Sequence, residues 1–87
     1  CLFSRVVYRE NFVEGESTTL DPYGHGTHVS GIIAGNPGCA ITGWNLKGVA
    51  PKANIISLRV LNSQGVGTDS GVIAAIDRAI ALKNQYN

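Results

Sequence analysis

The stretch Asp21–Gly35, DPYGHGTHVSGIIAG, places two histidines three residues apart at the head of a run that is otherwise small or apolar. Val29, Ile32 and Ile33 fall at i, i+3 and i+4, the spacing of one helical face, and predict a helix over His25–Ala34. Its other positions are Gly26, Thr27, Ser30, Gly31 and Ala34, so beyond the histidines there is no charged face to turn toward water. A helix of this kind is expected to be buried on every side. Each interior Gly weakens it by about 1 kcal/mol relative to Ala, a cost accepted where a sheet or another backbone must come close. Two imidazoles three apart share a helix face, where zinc could bind them. Zinc needs a third ligand, and the nearest acidic candidate is Asp21. More often such a pair is a packing or solvated feature.

Working outward, RVVYRENFV (Arg5–Val13) mixes β-branched and aromatic residues and predicts a strand. EGESTTLDPYG then has no apolar period and reads as an exposed loop that delivers the chain to His25. On the other side, Asn36-Pro37-Gly38 closes the helix and opens a second loop, GNPGCAITGWNLKG. NIISLRVL follows, with Ile56, Leu58 and Val60 on one face and Ser57 and Arg59 on the other, the alternation of a strand. NSQGVG is a turn-forming link, after which Thr68, Asp69 or Ser70 can cap a helix over Asp69–Asn84. Val72, Ile73, Ile76, Ala79, Ile80 and Lys83 trace one helical face, with Asp77, Arg78 and Lys83 near its solvated rim. Tyr23 and Trp44 are isolated aromatics, which read as loop anchors.

Strand, helix, strand, helix is the order of a right-handed crossover in a parallel α/β sheet. Two strands alone leave such a sheet uncovered and unpaired at its edges. The chain reaches NQYN just after a helix, where a third strand is expected, so residues 1–87 read as one piece of a larger domain. The start, CLFSRVVYRE, has neither Met nor the charged leader and small-residue cleavage site of a signal peptide, and reads as a trimmed or truncated product. Seven basic and six acidic side chains nearly cancel, giving no footprint for nucleic acid or an anionic membrane. No apolar run approaches the ~20 residues that span a bilayer. Cys1 and Cys39 are compatible with free thiols or with a disulfide, and the redox compartment stays open.

GHGTHVSGIIAG resembles the histidine motif of the subtilisin-like serine proteases, and GVAPKANIISLRVLNSQGVGTDSGVIAAIDRAI resembles the segment that follows it there. The two lie in the family's order, at its spacing, across about Tyr23 to Ile80. The resemblance implies a piece of a three-layer subtilisin-like sheet and hydrolysis of peptide bonds by a serine nucleophile, a histidine base and an orienting aspartate. It assigns the base to His25, whose imidazole titrates near neutrality and can take the hydroxyl proton and return it to the leaving amine. His28 is then expected to be a packed neighbour that hydrogen-bonds locally. Leu61 and Gly65-Val66-Gly67 fall where the family pairs with a polypeptide substrate as an added strand, and Val72 where it lines an apolar pocket.

Other members of that machinery do not appear. No Asp-Ser-Gly or Asp-Thr-Gly precedes His25, and neither Ser57 nor Ser70 has the Gly-Thr-Ser-Met/Ala surroundings of the nucleophile. Subtilisin is itself the reference case for what this costs: without the nucleophile, ~10⁶ of rate is lost, about 8 kcal/mol. The 87 residues alone are therefore expected to be inactive, and to self-associate or pair with the missing part of the domain. The family often binds structural calcium after this helix, but NPGCAITGWN has no acidic side chain, so no metal and no cofactor are assigned. By resemblance the protein is expected to be secreted.

Overall fold

The computed structural model describes residues 2–37 and 47–86. Four regular elements follow a 3-10 turn at Phe3–Arg5: strand β1 (Val6–Asn11), helix α1 (His25–Ala34), strand β2 (Ile55–Arg59) and helix α2 (Asp69–Leu82). β1 and β2 pair in parallel, Tyr8 opposite Ile56 through Asn11 opposite Arg59, with an irregularity between Val6 and Tyr8. This is the expected α/β order with a parallel sheet. Cys1, Cys39 and Trp44 lie outside the described residues, as does most of the second loop, and with them the question of a disulfide.

Both strands are shorter than their sequence patterns, for a chemical reason. The Asn11 side chain folds onto its own backbone: Oδ1 accepts from Val13 N–H at 3.2 Å and Nδ2 donates to Val13 O at 3.1 Å. That local turn competes with the ladder and ends β1. Beyond β2, Asn62 does the same, with Oδ1 accepting from Gln64 N–H at 2.9 Å and Val66 N–H at 3.0 Å.

α1 has the predicted bounds but not the predicted surroundings. Ala34 is its buried residue, whereas Val29, Ile32 and Ile33 are 38, 59 and 53% exposed. The described chain does not cover this helix; it fastens its ends. The last four carbonyls of any helix need outside partners. Here Gly31 O accepts from Gly35 N–H, Ile32 O from Val49 N–H, Ile33 O from Ala50 N–H, and Ala34 O from the Arg5 guanidinium. Gly48 makes that docking possible: a Cβ there would stand 2.5 Å from Gly35 N and 2.6 Å from Ala34 N.

Of the candidate caps for α2, Thr68 serves, its Oγ1 accepting from Gly71 N–H at 3.0 Å. The inward face is not the one the periodicity favours. Ala75 and Leu82 are buried, whereas Ile73, Ile76 and Ile80 are 60, 55 and 69% exposed. The reason is composition: α2 is apolar on two sides, so spacing alone does not say which side meets the sheet. Arg78 is more than a solvated rim residue, since its Nε lies 3.0 Å from Glu10 Oε1 on β1. Arg59, the last residue of β2, is buried at 7% exposed. Among the described residues no helix is long and apolar enough to cross a membrane.

Candidate active site

A groove of about 910 Å³ runs between the start of α1 and the length of β2. His25, Thr27 and Ser30 line one side, and Ser57, Val60 and Leu61 the other. In open α/β sheets ligands collect outside the carboxyl ends of the strands. The groove reaches past that end of β2 to Leu61, and His25 is among the residues that line it. His25 is exposed there, carried by the first residue of a helix whose far end is fixed by Arg5 and by residues 48–50. The position of the imidazole is therefore set through the backbone that carries it rather than by side-chain packing.

The start of α1 is held by an unexpected residue. The N-cap is Gly24, at φ 93°, which supplies the left-handed turn but no capping side chain. Asp21 caps from three residues earlier. Its Oδ1 accepts from Gly24 N–H at 3.0 Å, and its Oδ2 accepts from Thr27 N–H and Thr27 Oγ1–H, each at 2.7 Å. The Thr27 hydroxyl is the main cause holding the carboxyl below its ordinary range, helped by the two amides and opposed by partial desolvation. An anion there also meets the positive end of the helix dipole. Sequence reasoning left Asp21 as a loop residue; the Asp-Pro turn ahead of the helix was the available signal. His28 is exposed rather than packed.

The segment expected to pair with substrate is a tight, braced turn. Asn62 N–H donates to Val66 O at 2.8 Å and Gly65 N–H to Asn62 O at 3.0 Å, so part of its backbone is already engaged. Gly65, at φ 79°, lies under the ring of Tyr23, whose Cε2 and Cζ are 2.6 Å from where a Cβ would be. Gly67 abuts Val60 O at 2.5 Å by the same measure. Both glycines thus serve close internal packing. Leu61 shares the groove with His25; Gly65, Val66, Gly67 and Val72 do not line it. Val66 and Val72 are 61 and 40% exposed. Tyr23 links that turn to the loop carrying His25.

No three His, Cys, Asp or Glu side chains come together as a metal site among the described residues. Asp21, the acidic candidate for a zinc site, has both carboxylate oxygens occupied by Gly24 and Thr27.

The sequence that folds into this parallel α/β unit, with a histidine opening a glycine-bearing helix, matches a known family. The family model described as the Subtilase family covers residues 3–87. The chain belongs to that family. It is 43% identical over 75 residues to subtilisin DY of Bacillus licheniformis, covering 86% of this chain and 26% of that protein. It is 41% identical over 76 residues to subtilisin-like protease 5 of Trichophyton tonsurans, covering 87% of this chain and 16% of that protein. A third relative is alkaline serine exoprotease A of Vibrio alginolyticus, 41% identical over 73 residues, covering 84% of this chain and 12% of that protein. The chain thus spans about a quarter of the first relative's length, and less of the others.

Proposed function

We propose that this chain contributes the general base and part of the substrate cleft to a subtilisin-like serine endopeptidase acting on polypeptides. The observation that supports the reading is that His25, the first residue of α1, lines one groove with Leu61, two residues past β2. His25 takes the proton of a serine hydroxyl supplied by the rest of the domain and later protonates the leaving amine. Leu61, Gly65, Val66 and Gly67 bind an extended peptide by strand addition, and Val72 lines an apolar pocket for one of its side chains. Residues 1–87 act as one part of that catalytic domain, inactive alone. Family membership and the names of the relatives support secretion, with no metal or cofactor needed for the chemistry.

The complete gene product containing this chain tests it. His25→Ala should lower peptide hydrolysis by about 10⁴- to 10⁶-fold. It should also abolish labelling by a fluorophosphonate, which reports an activated serine. Undiminished labelling in that variant would remove His25 from the role. The second reading, a non-enzymatic fragment that self-associates or pairs with a complementary chain, rests on the exposed faces of α1 and α2. It predicts no labelling of the complete product at all.

A further inference from the structure

We propose that Asp21 is a positioning residue for His25, fixing where the imidazole can take a proton; this rests on the reading of His25 as general base. The carboxylate brackets the histidine. Oδ1 holds the amide of Gly24, immediately before it, and Oδ2 holds the amide and hydroxyl of Thr27, two residues after it. The same Oδ2 lies 3.6 Å from where a Cβ on Gly26 would stand, so the side chain passes close along the backbone next to His25.

The need for such a clamp follows from what flanks the base. Gly24 and Gly26 give the ring room but leave its backbone free to swivel. Gly24 at the cap position offers no side-chain acceptor. His25, Gly26, Thr27, His28 and Val29 are all exposed, so packing within the described chain does not restrain this turn. Three hydrogen bonds to one ionised carboxylate do. A base displaced by ~1 Å can lose ~10²-fold in rate, which makes the clamp a determinant of turnover rather than of substrate affinity.

The test uses the complete gene product, with rates expressed per folded molecule from thermal melts. Asp21→Asn retains one acceptor but sets an amide against the two Thr27 donors. It should lower kcat about 10- to 100-fold and leave KM within about twofold. Thr27→Val should lower kcat by less, Thr27→Ser should recover most of that loss, and Asp21→Asn combined with Thr27→Val should be little worse than Asp21→Asn alone. A lower melting temperature with unchanged kcat per folded molecule would reduce Asp21 to a helix cap and overturn the proposal. So would a raised KM at constant kcat, which would place Asp21 in substrate binding. If Asp21→Asn does not fold, Thr27→Val against Thr27→Ser decides: equal kcat values overturn the proposal. His25→Ala run in parallel separates the two claims. Its full activity would refute the general base itself, whereas its inactivity beside an unimpaired Asp21→Asn would refute only the clamp.

Discussion

Arg59 and Glu16 join the last residue of β2 to the loop ahead of α1, Nη2 lying 2.5 Å from Oε1, with the guanidinium buried and the carboxylate at the rim. Arg59 Nη1 also donates to Thr18 O at 3.1 Å, and Glu16 Oε2 accepts from Ser63 N–H at 3.3 Å and from Ser63 Oγ–H at 3.2 Å. One ion pair thus braces both loops that flank the groove. Arg59 Nε has no partner among the described residues, so the guanidinium has little solvation in reserve. Glu16→Gln should lower the melting temperature by several degrees, because a buried cation left without its anion is strongly unfavourable. Arg59→Met added to it should recover much of the loss, since a pair removed whole costs less than a pair broken. Thermal melts of the parent and of the two variants check both statements.

Glu16 and Asp21 also make stability depend on acid. The Arg59 guanidinium is the first cause holding Glu16 below its ordinary 4.5, and the Thr27 hydroxyl the first holding Asp21 below its ordinary 3.8. Between folded and unfolded values the unfolded chain binds more protons, so stability rises with pH there. Their contribution is fully present above about pH 5.5 and is lost as pH falls through the folded values. Melts from pH 7 to 3 should show this decline, and Glu16→Gln with Asp21→Asn should flatten it. A decline equally steep in the double variant would assign it to other groups.

Two glycines should resist substitution for different reasons. Gly48→Ala drives a methyl into backbone, 2.5 Å from Gly35 N, and should cost about 1–3 kcal/mol by loosening residues 48–50 from the end of α1. Gly65→Ala meets a side chain instead, the Tyr23 ring, and adds left-handed strain of about 1 kcal/mol. Removing the ring with Tyr23→Ala should therefore relieve part of the Gly65→Ala loss, while no single side-chain truncation should relieve Gly48→Ala. Denaturant titration of the variants separates the two cases.

The sequence located elements better than their surroundings. α1 was legible to the residue because its periodicity begins and stops at glycines. The strand ends were not, because Asn11 and Asn62 turn on their own side chains and no period reports that. The inner face of α2 was hidden by a second apolar face. His25 stood out through its motif, whereas Asp21 acts on backbone amides whose positions exist only once the chain has turned at Gly24. The burial of Arg59 was not legible either, because alternation marks the face of a strand and not what covers it.

The open faces lead to a last expectation, for the 87-residue chain on its own. Ile73, Ile76 and Ile80 stand in a row on α2, each more than half exposed, and Ile32 and Ile33 on α1 are likewise more than half exposed. Exposed apolar surface is worth about 25 cal/mol per Å² when covered, so several such side chains meeting a second copy outweigh the modest cost of weak association. The isolated chain should therefore run larger than a monomer in light scattering at high concentration. Ile76→Lys with Ile80→Lys should return it toward monomer size, because burying either ammonium in a partner's face is costly. The buried residues of α2, Ala75 and Leu82, are left in place, so helix content by circular dichroism should survive that change. A chain that stays monomeric before substitution would mean these faces find cover within one copy.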